Sequence, residues 1–258
     1  EIEKAVLLTS LIIAMDKVDS SVGHHVSYLK QWAPRAYNTM RMQIPKLIID
    51  DKDHKVFNDD IFNVLNNVEA DLAYYDPPYG SSNELMPPSR VRYASYYHIW
   101  KTVCLNDKPT VVGAANRRED VSDVIAGSVF EEFRKDENGK YIVIDAIKRL
   151  IAKSRAKYIV LSYNNNGRAT FDSILEVLRE LNRPCSIFEM DYKKNVMATM
   201  TWTNEWLDGG NGHDIQNKEF LFLIQKEEIT QLLQDRYKIE KLNIHDPLIS
   251  GQQRLALF

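Results

Sequence analysis

Asp76, Pro77, Pro78 and Tyr79 stand together at the end of the apolar run from Asp71 to Tyr75, and their types suit one kind of chemistry. An ionised aspartate accepts hydrogen bonds and donates none, and a carbonyl followed by proline is held in a restricted orientation. Two acceptors on a stiff turn match the two protons of a substrate NH2 group. Accepting both protons concentrates the nitrogen lone pair for attack on an electrophile, while the flat ring of Tyr79 offers a stacking surface for a planar heterocycle. Average residue usage gives this tetrapeptide a chance probability of roughly 10⁻³ in a chain of this length, so chemistry outweighs coincidence for Asp76.

The elements that must position this turn read as an α/β chain. The run ending at Tyr75 lacks alternation, which predicts a strand covered on both faces and ended by the double proline. In open α/β sheets ligands bind just outside the carboxyl ends of strands, where Asp76 would lie. Further apolar runs predict strands over 157–163, 185–192 and 219–224, and helical spacing predicts helices over 141–153 and 171–181. This alternation implies a mostly parallel sheet with helices on both faces, although the last two strands, with no clear helix between them, admit antiparallel pairing. Nearer the amino end the spacing predicts one long helix from Glu1 to about Trp32 with a break near Gly23, and an irregular stretch over 33–50. A strand over 54–57, helices over 60–68 and 93–103, a strand over 109–113 and an irregular 114–125 complete the reading.

Composition narrows the function classes. The 258 residues carry 33 Lys and Arg against 36 Asp and Glu, a net charge of −3, with 44% hydrophobic residues. That is the mixture of a globular protein without the global basic footprint of a strongly nucleic-acid-binding chain. Any contact to phosphates must be local, for which Arg90, Arg92, Arg117 and Arg118 are candidates. Cys104 and Cys185 are far apart in apolar segments, so neither a disulfide framework nor a zinc signature is expected, and a cytoplasmic setting fits. His24 and His25 lack the neighbours of a metal site. The apolar stretch from Ala5 to Met15 is shorter than the roughly 20 residues that span a bilayer, so no membrane association is expected.

The Asp76-Pro77-Pro78-Tyr79 tetrapeptide resembles the catalytic signature of the DNA adenine methyltransferases. Asn58-Asp59-Asp60-Ile61 upstream, and Tyr96-Tyr97-His98, the Gly113 to Arg117 segment and Ser162 to Gly167 downstream, are similar to a branch associated with restriction–modification systems. The resemblance runs from near residue 1 to about residue 226, and the tetrapeptide is its most specific part. It implies a single catalytic domain over 1–258 with a helical segment over 1–50, built on a Rossmann-like S-adenosylmethionine-dependent methyltransferase sheet. The implied reaction moves a methyl group from S-adenosyl-L-methionine to the exocyclic N6 of adenine in duplex DNA, with the target base flipped out of the stack. Asp76 to Tyr79 would be catalytic, Asp60 would meet the amino group of the cofactor's adenine, and Ile61 would form an apolar wall beside that ring. Arg90, Arg92, Arg117 and Arg118 would hold phosphates, loops 80–95 and 114–140 would recognise the target, and a cognate restriction endonuclease is a candidate partner.

The family's Phe-x-Gly-x-Gly turn does not occur; the Gly-x-Gly at Gly210 and Gly212 lies far downstream, in a 203–217 stretch that reads as a plain connection. A strand and glycine turn are therefore expected to precede Glu1. Other readings stay open: a non-catalytic DNA-binding fragment, or methylation of RNA or of a protein amide. Asp60 also suits a helix cap, the Asn164 to Gly167 stretch a plain turn, and His98, Trp202 and Trp206 plain packing.

Overall fold

A computed structural model describes residues 1–21, 23–26, 29–80, 93–192, 217–225 and 237–242. Arg90, Arg92, most of the 80–95 loop, Trp202, Trp206 and the Gly209 to Gly212 stretch lie outside the described residues. The chain divides into two compact units, residues 58–87 with 129–258 and residues 1–57 with 88–128.

The first of these units is organised by strands whose alternate side chains are apolar. Five strands, β1 (Ala70–Tyr75), β4 (Ala156–Asn164), β5 (Cys185–Tyr192), β6 (Asn217–Gln225) and β7 (Tyr237–Leu242), form one sheet in the order β1-β4-β6-β5-β7. β1 runs parallel to β4 and β5 parallel to β7, whereas β6 is antiparallel to both β4 and β5. The sheet is therefore mixed. β6 reverses the direction that the other four strands share, and β7 is a strand that periodicity did not reveal.

Register puts Ala73, Ile159, Ile224 and Cys185 in one cross-sheet row, and Tyr75, Leu161, Phe222 and Ile187 in the next. These rows share a core with helices α6 (Ile142–Lys153) and α7 (Phe171–Glu180), which contribute Ile147, Leu150, Ile174 and Leu178, each 1% exposed or less. Thr170 caps α7 by accepting the Ser173 N–H at 3.2 Å, satisfying a donor that the first turn leaves unpaired. The short helix α2 (Ile61–Val64) joins the same core through Ile61 and Phe62, and the Phe62 ring stacks on Phe130.

The strand before the tetrapeptide is not covered on both faces. Leu72 and Tyr74 are 56% and 45% exposed, as is Tyr158 at 46% beside them. Among the described residues β1 is bonded to β4 alone, and these side chains point away from the face that α6 and α7 cover.

In the other unit, α1 spans Ile2–Asp16, half of the helix expected from periodicity. Its continuation is diverted by polar side chains that bind locally: Ser21 Oγ donates to Asp19 at 2.5 Å, and Ser20 Oγ accepts the Ala33 N–H at 2.8 Å. Pro34–Tyr37 form a single 3-10 turn in the otherwise irregular 33–50 stretch. The strand expected over 54–57 is absent, because no described segment pairs with it and Val56 is 95% exposed. The helix expected over 93–103 is split into α3 (Tyr93–Tyr96) and α4 (His98–Leu105).

Residues 114–125 are more regular than expected. β2 (Val111–Val112) and β3 (Arg117–Arg118) form a hairpin, closed by positive φ at Gly113 (72°) and Asn116 (47°). Those two residue types enter that region at little cost, which is why the chain reverses there. A 3-10 turn at Glu119–Val121 and α5 (Asp123–Ala126) follow.

Candidate functional site at the carboxyl edge of the sheet

Tyr75 pairs with Leu161, so the next residue, Asp76, leaves the sheet level with Ser162, at the carboxyl ends of β1 and β4. Asp76 remains exposed while Pro77 and Gly80 are buried, so the turn is anchored by its prolines and glycine and presents its carboxylate outward. Removal of water by the surrounding protein raises the Asp76 pKa above its ordinary value.

Tyr79 is half-buried, with its ring centroid 5.1 Å from that of Tyr163 and the planes inclined at 58°. Tyr163 is 1% exposed, and its hydroxyl accepts the Ala169 N–H at 3.2 Å; burial pushes its phenol up to about 12. The aromatic partner of the tetrapeptide is therefore held rigidly from beneath.

The Asn-rich turn after β4 is tied down from several sides. Asn164 Oδ1 accepts the Asn166 N–H at 2.7 Å, and the Asn164 carbonyl accepts the Gly167 N–H at 3.0 Å. Asn165 and Lys218 exchange two hydrogen bonds, at 3.0 and 3.1 Å, which lock the turn to β6. Gly167 lies flat against Tyr163: a Cβ there would sit 2.4 Å from the ring. Arg168 follows, 8% exposed, with its guanidinium 5.4 Å from the centre of the Tyr141 ring. A Cβ on Gly80 would come 3.1 Å from Arg168 Nε, so this arginine braces the end of the tetrapeptide loop.

Sequence reasoning missed Arg168, and also Glu219, which faces Asn164 across the β4–β6 pairing. Ser162 Oγ donates to Glu219 Oε1 at 2.5 Å, and Asn164 Nδ2 lies 3.5 Å from Oε2. Burial raises the Glu219 pKa most, and the negative charge of Asp76 raises it further. The signal in the sequence was an acidic residue opening an otherwise apolar strand.

Asp60 is the N-cap of α2 and accepts the Phe62 N–H at 2.8 Å. It is exposed, and Ile61 beside it is half-buried against the core. An exposed carboxylate next to an apolar side chain can accept an adenine amino group and flank the ring, so the pair fits that end of an adenosyl cofactor.

Of the arginines, Arg117 is half-buried, whereas Arg118 is 3% exposed and committed within its own unit. All five of its N–H donors are used: Nη1 to Asp107 and Thr102, Nη2 to Asp107 and Asp120, and Nε to Asp120, over 2.5 to 3.3 Å. Lys101 adds a second cation to Asp120 at 2.9 Å. The phosphate contact expected of Arg118 does not fit this arrangement, because a guanidinium saturated by two carboxylates has no donor left for an anion. Hydrogen bonding to Arg118 lowers the Asp107 pKa and, together with Lys101, holds Asp120 well below the usual carboxylate range. Stability from these pairs is full above the unfolded value of 3.8 and is lost as pH falls through the depressed folded values. Arg118→Ala is expected to lower the thermal midpoint clearly more than Arg117→Ala does. Equal midpoints for the two variants by calorimetry would remove the structural role.

His98 is packed, 5% exposed, with Nε2 3.0 Å from the His25 carbonyl, while His24 stacks on Tyr96. Both cysteines are free. Among the described residues, no group of three or more His, Cys, Asp or Glu is placed to hold a metal, and no helix is long and apolar enough to cross a membrane.

The model of the D12 class N6 adenine-specific DNA methyltransferases matches residues 1–126, a span that includes the tetrapeptide. The modification methylase StsI of Streptococcus sanguinis is 29% identical over 176 residues, 68% of this chain and 24% of that protein. The type II methyltransferase M.FokI of Planomicrobium okeanokoites is 27% identical over 243 residues, 93% of this chain and 33% of that protein. The type II methyltransferase M.NlaIII of Neisseria lactamica is 23% identical over 188 residues, 73% of this chain and 50% of that protein. The chain thus spans a quarter to a third of the length of the first two relatives. No solved structure matches it. The similarity to the D12 class N6 adenine-specific DNA methyltransferases thus covers residues 1–126, just under half of the chain.

Proposed function

We propose that this chain methylates the exocyclic N6 amino group of adenine in duplex DNA, with S-adenosyl-L-methionine as donor, as the modification arm of a cytoplasmic restriction–modification system. The observation that carries this reading is Asp76-Pro77-Pro78-Tyr79 leaving the carboxyl end of β1 with its carboxylate exposed and its tyrosine packed on a buried partner. The family match over residues 1–126 and the relatives named as modification methylases support it.

In this reading the two units serve one catalytic domain with a Rossmann-like sheet, and loops 80–95 and 114–140 recognise the target. A cognate restriction endonuclease would be the partner. The donor supplies an electrophilic methyl group on a sulfonium, and Asp60 and Ile61 would hold its adenine. Asp76 and the carbonyl before Pro78 accept the two protons of the substrate amino group and aim the nitrogen lone pair at the methyl carbon. Tyr79, fixed by Tyr163, stacks on the flipped adenine. That contact returns about 1–3 kcal/mol against the few kcal/mol that unstacking costs. Phosphate contacts fall to Arg117, Arg90 and Arg92.

The test is transfer of labelled methyl to unmethylated duplex DNA, with nucleoside analysis of the product. Label in N6-methyladenine is expected. Label in RNA or in a protein amide would replace the substrate, and DNA binding with no transfer would replace the enzyme by a binding module. Arg117→Ala is expected to reduce the slope of log affinity against log salt by about 1, the loss of one phosphate contact. An unchanged slope would exclude Arg117 from the DNA interface.

A further inference from the structure

We propose that Glu219 is the second carboxylate of the site, a positioning residue held by Ser162 beside Asp76, whose negative charge stabilises the positive charge that develops on the substrate nitrogen. The inference rests on the methyl-transfer reading above and adds to it a residue that neither the motif nor the family match singles out.

The geometry comes from three strands. Asp76 follows the last β1–β4 pair, Tyr75 with Leu161, and so stands level with Ser162. Ser162 and Asn164 alternate with Leu161 and Tyr163, so their side chains rise on the face opposite α6 and α7. Glu219 is directly opposite Asn164 on β6, and its side chain rises on that same face, where Ser162 Oγ holds it at 2.5 Å. Its neighbour Lys218 points to the other face and is paired with Glu189 of β5 at 2.7 Å. Glu219 pairs with Met190 on the β5 side, which brings no charge. Among the described residues, the charged group that faces Glu219 is therefore Asp76, of the same sign.

Two like charges at one edge raise each other's cost of ionisation. In the transfer, the nitrogen lone pair forms the new N–CH3 bond as the S–CH3 electron pair returns to sulfur. The nitrogen becomes cationic and then loses a proton to solvent water. A fixed anion behind Asp76 lowers the energy of that cationic stage without having to reorganise. The charges of Asp76 and Glu219 raise each other's proton affinity, so the acid limb of the rate profile reports the pair, and removing the Glu219 charge moves it to lower pH.

The experiment measures single-turnover methyl transfer to duplex DNA against pH for the wild type and Glu219→Gln. The variant keeps the shape and the Ser162 contact but not the charge. Its rate at neutral pH is expected to fall about tenfold to a hundredfold with little change in DNA affinity, and its acid limb to move to lower pH. An unmoved limb overturns the proposal. If Glu219→Gln does not fold by circular dichroism, Ser162→Ala serves: losing a hydrogen bond to the ionised carboxylate must move the limb to higher pH, and no movement overturns the proposal equally. A separate arm needs no activity. Carboxyl carbon NMR is expected to show the Glu219 titration moving to lower pH in Asp76→Asn. A Glu219 titration that ignores Asp76 refutes the coupling, whereas absence of transfer in the wild type with the coupling intact refutes the methyl-transfer reading alone.

Discussion

Asp76→Ala lowers the methyl-transfer rate by orders of magnitude while leaving donor affinity largely intact. The expectation follows from where Asp76 sits and what it lacks. Its carboxylate is exposed at the carboxyl edge of the sheet, and the residues beside it are buried and braced, so truncation removes an acceptor without removing a packing element. Deleting one preorganised polar contact to a developing charge costs about 10²–10³ in rate, and Asp76 is asked both to orient the nucleophile and to stabilise it. Because the ionised form is the acceptor, activity should fall as pH drops through a value above the 3.8 of an ordinary aspartate. Single-turnover kinetics with a parallel donor-binding titration separates rate from affinity. Near-normal turnover in the variant would sink the mechanism.

The second large effect is expected at a residue that touches no substrate. Gly167→Ala would place a Cβ 2.4 Å from Tyr163 Cε1, 2.9 Å from Cζ and 3.1 Å from the Asn164 carbonyl oxygen. Tyr163 is 1% exposed and bonded through its hydroxyl to Ala169, so its ring cannot swing away cheaply. The added methyl must displace either that ring, and with it the surface on which Tyr79 rests, or the Asn turn that contacts Glu219. Overpacking of this kind costs about 1–3 kcal/mol of stability. A shift of about 1 Å in the positioning of a substrate costs about a hundredfold in rate. Calorimetry and turnover on the same preparation test both parts. A wild-type melting temperature together with a wild-type rate would mean that the turn relaxes without moving Tyr163.

The strands around the site were legible because their runs are short, apolar and rich in β-branched and aromatic residues: 157–163 and 219–224 each fall within the observed strands β4 and β6. Helices α6 and α7 were legible because a long amphipathic repeat has few alternatives; their observed bounds differ from expectation by one residue at one end. The amino-terminal helix was over-extended because Asp19, Ser20 and Ser21 bind locally once the chain folds back, and periodicity does not register such competition. The second strand of the 111–118 hairpin was missed for a related reason. The strand expected over 109–113 holds Val111 and Val112, and Gly113 and Asn116 mark a reversal, but the partners Arg117 and Arg118 identify themselves as strand only on pairing.

Local chemistry, carried by residue type and spacing, was sufficient to single out Asp76-Pro77-Pro78-Tyr79 and its position at a strand's end, since an acceptor, a rigid turn and a ring need only adjacent residues. The same local logic gave Asp60 as a helix cap. What depended on the fold was which distant residues join them. Tyr163 beneath Tyr79, Arg168 against Gly80 and Glu219 beside Ser162 lie far from the tetrapeptide in the chain, and they meet it through register and through the reversal of β6. Arg117 and Arg118 make the same point at neighbouring positions: one saturated by carboxylates across its unit and the other not, a difference set by burial and by the twofold alternation of a strand rather than by residue type.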